Sequence, residues 1–422
     1  MAPLSLFTVA LGLPAPWEVV DMAFDPEPGR IDFHLTFASG TRFACPHCGA
    51  EHQPVHDTLE RDWRHLHFFQ LQAYIHARVP RVRCPMPYLR QDYPQVGVPW
   101  ARPNSGFTRR MEALLVTLCK AMTVSQVAQL PSVSDGRVWR TLDHYVDQAH
   151  AQEDFSTVTS VGLDETASRR GYNYMSLFHD LDAPRGLYAC EGRKAQVVAQ
   201  FAGAFEAHGA CAENIRAVCK DMSTSYQAGV CEHRPWATIT FDEFHIIQLV
   251  NKAVDEVRRQ EVKRAPELRC TRYIWLKDKS AWSNRQTAQF ADLKSRNLKT
   301  HRAFRIQGTL HEIFHSAQSA VPAEPLLVDK WYSWARRCRL EPIKAVAKIL
   351  KDYWPSVLNA FDSRLTNGHV EGVNSLIQTA KARARGYGTA KHLINIAYLV
   401  ADKLTPLPTS PFVVKSGLPL TT

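Results

Sequence analysis

Residues 157–165, TVTSVGLDE, run from an alternating apolar stretch into two carboxylates, and residues 215–221, IRAVCKD, end the same way. The pattern around them is readable as a succession of short elements. NYMSLFHDL (173–181) and GLYACEG (186–192) have the β-rich, turn-bounded look of strands. KAQVVAQFAGAFEAHG (194–209) carries apolar residues at helical spacing, and TSYQAGVCEHR (224–234) reads as a second helix. ATITFDEFH (237–245) reads as a fifth strand, and IIQLVNKAVDEVRRQ (246–260) as a long helix.

The order β-β-β-α-β-α-β-α predicts a ribonuclease H-like α/β core whose first and fourth strands are neighbours. Only such a fold would bring Asp164 beside Asp221. A carboxylate at the end of a buried strand costs solvation unless something uses it. A third acid, Glu371, lies in TNGHVEGVNSL (366–376), next to basic residues. Three converging carboxylates form a hard-oxygen cage for Mg²⁺, the setting for phosphodiester chemistry. Plainer roles compete: Asp164 as a cap or turn residue, Asp221 as an N-cap before Ser223 and Thr224. Glu165 and Asp242 are rival carboxylates. Glu371 and Asn374 fall on adjoining positions of one helical face. Lys381, Arg383 and Arg385 follow before a Gly-Tyr-Gly break, placed to grip a phosphate.

Between the fifth strand and Glu371 the pattern is helical, aromatic and basic, as in RYIWLKDKSAW (272–282) and DKWYSWARRCRLEPIKAVAKILKDYWPSVLNAF (329–361). This predicts an all-helical insertion that interrupts the core. The formal net charge is +10, and residues 251–310 hold 15 Lys/Arg against 6 Asp/Glu, nearly the whole surplus. So localised an excess favours a polyanionic partner. With 422 residues, 45% of them hydrophobic, the chain should form a soluble protein of several domains. No Lys or Arg precedes Arg30, which argues against a secretory leader, and no apolar run reaches about 18 residues. The ten cysteines are scattered, suiting a reducing cytoplasm and buried thiols.

The N-terminal third reads as a multidomain prelude to that core. Cys45-Pro-His-Cys48-Gly is a compact knuckle, and Cys84 follows the alternating run FFQLQAYIHARVPRVRC (68–84). Cys-x-x-Cys, two strands and another Cys outline a zinc-ribbon-like β module in which thiolates hold Zn²⁺. His47, His52 and His56 are open for the fourth position; a degenerate ribbon held by packing is the alternative. RRMEALLVTLCKAM (109–122), VSQVAQL (124–130) and DGRVWRTLDHYVDQA (135–149) read as a helix-turn-helix. Its second helix would present Ser134, Arg137 and Arg140 to DNA. The competing account is a helical linker with Val138, Trp139 and Leu142 in a core.

In order, CPHCG (45–49), VPWARP (98–103), GLDE (162–165), CKDMS (219–223), DEFH (242–245) and HVEGVNSLIQTAKARARGYG (369–388) closely resemble bacterial insertion-sequence transposases of the Asp-Asp-Glu type, the ISL-three group. The resemblance covers nearly the whole chain. It implies Asp164, Asp221 and Glu371 as a catalytic triad holding Mg²⁺ or Mn²⁺. It also implies recognition of terminal inverted repeats, with double-stranded DNA at the element ends and target as partner. A homodimer or larger oligomer on DNA, in the cytoplasm or nucleoid and away from membranes, is expected by analogy. Asp242-Glu-Phe-His245 looks like the Asp-x-x-His motif of related transposases; with Asn374 it is assigned an accessory role, not metal ligation. Pro87 stands where family members normally carry Cys or His. The alternatives are a catalytically silent DNA-binding relative and a nuclease that cuts without joining. Expected boundaries are 1–104 for the β module, 105–153 for the helix-turn-helix, 154–260 for the first part of the core, 261–364 for the insertion, 365–405 for the returning helix and 406–422 for a tail.

Overall fold

The structure is a computed structural model that describes residues 4–86, 93–169, 173–183, 185–222, 224–233, 236–317, 319–401 and 404–412. Pro87 and the end of the expected tail, 413–422, lie outside the described residues. The chain divides into two units, one from the first 150 residues with the segment from Leu404, the other Ala151–Lys403.

The first unit opens with α1 (Leu4–Ala10) and a sheet of β1 (Trp17–Asp25), β2 (Arg30–Phe37), β3 (Arg42–Phe43), β4 (Gln53–Arg64) and β5 (Gln72–Val82). The order across the sheet is β1-β2-β5-β4-β3. Period-two alternation decides which face is buried: Ile31, Phe33 and Leu35 on β2 and Ala73, Ile75, Ala77 and Val79 on β5 all point inward. Trp17, Trp63 and Trp100 close this core edge-to-face, with ring centres 4.9 and 5.5 Å apart.

Three helices follow, α2 (Arg109–Cys119), α3 (Val124–Gln129) and α4 (Asp135–His150). Thr108 caps α2 by accepting from the Met111 amide, and Thr123 with Gln126 forms a capping box on α3. α4 buries Val138, Leu142 and Val146, while Trp139 is half-buried. The sheet is tied to these helices at the end of β4. Arg64 donates to the Gly106 carbonyl and accepts from the Thr108 amide, and the ring of His65 meets the Thr108 hydroxyl at 2.8 Å.

The second unit contains β6 (Ser160–Ala167), β7 (Tyr174–Asp180), β8 (Arg185–Glu191), α5 (Gln196–Ala207), β9 (Ala217–Lys220), α6 (Thr224–His233), β10 (Thr238–Phe241) and α7 (Glu243–Glu261). Its sheet order is β10-β9-β6-β7-β8, with β6, β7 and β8 antiparallel and β6, β9 and β10 parallel. Phe178, Phe201, Phe205 and Val218 belong to the core between the sheet and α5. Then come α8 (Arg272–Leu276), α9 (Asn284–Ser295), α10 (Lys299–Ser316), α11 (Ala320–Pro325), α12 (Ser333–Arg337), α13 (Glu341–Asp352) and α14 (Trp354–Ser363). These pack with α7 around Trp275, Ile306, Leu310 and Trp331 in a core of their own. The chain returns with α15 (Gly368–Arg383) and α16 (Ala390–Ala401).

Two element boundaries differ from the sequence expectation. β10 stops at Phe241, and Asp242 is already the N-cap of α7, so His245 is helical and not strand. The cap explains the change, because the Asp242 carboxylate satisfies the Phe244 amide that a continuing strand would have exposed. Likewise Asp164 does not end its strand. β6 continues to Ala167 against β7, and only its parallel partner β9 stops at that level.

His65 gives the first unit a pH dependence. Burial, with Arg110 and Arg64 adding to it, holds the imidazole down at about 4, against 6.5 in an unfolded chain. The folded form therefore binds fewer protons between those values, so stability is lost as pH falls from 6.5 to 4. The loss should approach roughly 3 kcal/mol. Denaturant unfolding of His65→Gln across this range is expected to show a correspondingly flatter profile; an unchanged slope would contradict the assignment.

Candidate active site and metal-ligating clusters

The parallel ladder sets the site. Leu163 of β6 is in register with Lys220 of β9, and Lys220 with Phe241 of β10. The next residue on each is an aspartate: Asp164, Asp221 and Asp242. Neighbouring strands lie about 4.8 Å apart, so three carboxylates form a row along one sheet edge.

α15 covers this edge. Its residues 371, 374, 378 and 381 recur at helical spacing and form one polar stripe. Asn374 donates to Asp164 at 2.6 Å, Gln378 to the Thr166 hydroxyl at 2.6 Å and the Ala167 carbonyl at 3.0 Å, and Lys381 to the same carbonyl at 2.5 Å. At the start of the helix, Asn367 donates its amide to Asp242 at 3.2 Å, and its side chain lies 3.4 Å from the Leu163 carbonyl. Asp242 thus holds the beginnings of α7 and α15 together with its two oxygens.

Glycine permits this approach. A Cβ on Gly162 would sit 2.7 Å from Leu181, 2.8 Å from the Asn367 side-chain oxygen and 3.0 Å from Val370. Gly162 is part of the GLDE motif, but its role in admitting a helix that is distant in sequence had no local signal.

Glu371 faces Asp242 and His245: one ligand atom from each of the three lies within 4.8 Å of the others. The trio Asp164, Asp221 and Glu371 is not among such groups in the described residues. The accessory pair therefore sits closer to Glu371 than an accessory role required. Burial raises the Glu371 carboxyl above the usual range; Asp242 and Asp164 raise it further, and His245 opposes them. Burial likewise raises Asp164, helped by Asp221 and opposed by the Glu165 amide, His245 and Asn374. Glu165 is raised by burial, Asp221 and Asp164, with Arg193 at 3.8 Å in opposition.

So the pocket carries more negative charge than its own residues balance. One oxygen of Glu371, the Nε2 of His245 and the side-chain oxygen of Asn374 are buried there without a partner. Hard carboxylate oxygens, crowded and under-satisfied, fit a divalent cation. Behind the edge, fully buried Lys220 donates to the Asp221 carbonyl at 2.8 Å.

A second cluster lies in the first unit, where the thiols of Cys45, Cys48 and Cys84 come within 4.8 Å of one another. Cys48 and Cys84 sulfurs are 3.7 Å apart, and Gly49, at φ 73°, turns the knuckle. Burial raises the Cys45 thiol, yet the Cys48 and His47 amides bring it below the usual value, the environment of a metal thiolate. None of the three candidate histidines joins the group. His56 stacks on Tyr93 at 3.9 Å, and exposed His52 lies by Glu51.

Ser134, just before α4, and Arg140 in its second turn are exposed. Arg137 is half-buried over the Phe107 ring at 4.0 Å and donates to the Gly106 carbonyl, so its charge is partly used within the unit. Arg383 and Arg385 are exposed beyond the polar stripe of α15.

Residues 161–397, more than half of the chain, match the transposase model of the ISL3 DDE family. The chain belongs to the ISL3 transposase family. Residues 97–146 match the helix-turn-helix domain of transposase family ISL3, and 41–86 the zinc-finger of transposases IS204/IS1001/IS1096/IS1165. The transposase for insertion sequence element IS1557 of Mycobacterium tuberculosis is 25% identical, over 94% of this chain and 96% of its own. That of IS1001 from Bordetella parapertussis is 26% identical, over 86% and 89%. This ISL3 protein is accordingly a DNA transposase with a DNA-binding helix-turn-helix and a three-thiol site that fits zinc. None of its helices among the described residues is long and apolar enough to cross a membrane.

Gly162→Ala should cost about 1–3 kcal/mol, because Leu181 and the start of α15 cannot both yield. A lowered melting temperature with DNA cleavage lost out of proportion is the expected result. Wild-type values for both would refute the close-approach account.

Proposed function

We propose that this transposase cuts its element ends and joins them to target DNA at one site, formed by Asp164, Asp221 and Glu371. The observation that carries the reading is the register of the parallel strands, which sets Asp164 beside Asp221, together with the Asn374–Asp164 hydrogen bond from the helix of Glu371. Three antiparallel strands flanked by two parallel ones support a ribonuclease H-like core. The helices between α7 and α15 are then its insertion.

Mg²⁺ or Mn²⁺ held by these carboxylates would supply Lewis-acid stabilisation and an activated water or 3′-hydroxyl. The residues themselves do the positioning. Asn374 and the Glu165 amide fix the two oxygens of Asp164, at 2.6 and 2.8 Å. Lys220 anchors the backbone of Asp221 from behind. Asp242 keeps α15 seated, so that Glu371 faces the pocket, and His245 offsets part of the negative charge around it. Exposed Arg383 and Arg385 would supply cations to the phosphates of a scissile strand, and Lys381 braces the end of β6.

In the first unit, Cys45, Cys48 and Cys84 would hold Zn²⁺. Ser134, at the entrance to α4, and Arg140 on it would enter the major groove of the terminal repeats, with Arg137 setting the pitch of the helix. Bringing two ends together requires at least two copies of the chain on DNA.

Incubation with duplex carrying the repeats that flank its own gene tests this. Wild type with Mg²⁺ or Mn²⁺ should release 3′-hydroxyl ends and transfer them to plasmid; EDTA should stop both. Asp164→Asn should slow cleavage at least about 100-fold while end binding stays within about twofold. Undiminished cutting would refute the triad, and hydrolysis without joined products would leave a nuclease.

A further inference from the structure

A groove of about 670 Å³ runs along α7, starting at Phe244, between the cap Asp242 and His245. It continues past Gln248 and Lys252 to Asp255, Arg258 and Arg259, with Arg272 and Leu276 of α8 on its other side. From Phe244 to Arg258 is fourteen residues of helix, about 21 Å. The groove therefore begins beside the carboxylate row and leads away from it along one rigid element.

Its charge is organised. Buried Asp255 draws in three guanidiniums: Arg258 at 2.7 Å, Arg259 at 3.4 Å and Arg272 at 3.8 Å. One carboxylate offsets only one of them. Arg258 is the buried partner and also lies 3.4 Å from the Leu268 carbonyl. The side chains of Arg259 and Arg272 remain 67% and 57% exposed, and Lys252 is exposed as well. A helix that needed only an ion pair near its C-terminal end would not require a third arginine, from α8, or a lysine one turn earlier. The aromatic rings fit a nucleic-acid partner: Phe244 is 50% exposed at the head, and exposed Tyr273 lies 5.9 and 5.6 Å from the charges of Arg272 and Lys277.

We infer that this groove holds the phosphodiester backbone of DNA running away from the scissile phosphate, through Lys252, Arg259 and Arg272. The inference rests on the proposed cutting site and adds a path to it. For duplex whose axis runs parallel to α7, at 3.4 Å of axis per base step, about 21 Å corresponds to roughly six nucleotides of one strand. Asp255 is the organiser, fixing the spacing of the arginines before DNA arrives.

The test compares two triple variants of the full chain, Lys252→Gln/Arg259→Gln/Arg272→Gln and a control, Lys330→Gln/Arg336→Gln/Lys348→Gln, which removes equal charge from exposed positions outside the groove lining. Equal melting temperatures establish that both fold. Binding to end-plus-flank duplex is measured against salt, with hydroxyl-radical footprints in Ca²⁺ to hold cleavage off. The groove variant should lower the salt slope by about two to three and lose protection over roughly six nucleotides beside the cut. The control should keep that protection. A groove variant indistinguishable from the control, or one that loses protection everywhere, overturns the inference. If wild type binds but never cleaves, the cutting site fails instead, and the footprint still decides the groove.

Discussion

The seating of α15 on the C-terminal half of β6 is the constraint on which the geometry of the carboxylate site depends. Glu371 is 150 positions beyond Asp221 in the chain (371 − 221), with a helical block between them. Nothing local holds it to the sheet. What does is the buried face of Val370, Val373 and Ile377, with a stripe of amide and amine donors, Asn374, Gln378 and Lys381, reaching an acceptor row that begins with Asp164. Asp242 completes the seat from the other side. Buried hydrogen bonds of this kind contribute modest net stability but are costly to leave half-made, which is how they fix one position for the helix.

Electrostatics explains why such a seat is needed. Carboxylates gathered at a strand edge repel, and burial raises Asp164, Glu165 and Glu371 above their ordinary range. Buried Val370, Val373 and Ile377 press α15 against the sheet, and the hydrogen bonds fix which of its positions meets the row. With them, the negative charge is held for a cation. The partnerless oxygen of Glu371 and nitrogen of His245 fit this account, since a native interior leaves few such atoms unused.

Much of this was legible in the sequence. Alternation followed by helical spacing marked each strand and helix from 157 to 260, and the GLDE, CKDMS and HVEGVNS segments named the acids. Three things were not. The strand reading of ATITFDEFH missed that an aspartate after a short apolar run can equally cap a helix, which moved His245 onto α7. The closeness of Asp242 and His245 to Glu371 comes from a long-range contact between two helix beginnings. The use of Arg137 against Phe107 depends on where a loop passes, information that spacing along α4 does not carry.

Two ligand sets would claim Glu371 for a divalent ion, one with Asp164 and Asp221 and one with Asp242 and His245. Anomalous diffraction from crystals soaked in Mn²⁺ separates them most directly. The account predicts density bridging the Asp164 and Asp221 carboxylates, with Glu371 turned towards it. Density confined to Asp242, His245 and Glu371, leaving Asp164 and Asp221 unligated, would contradict it.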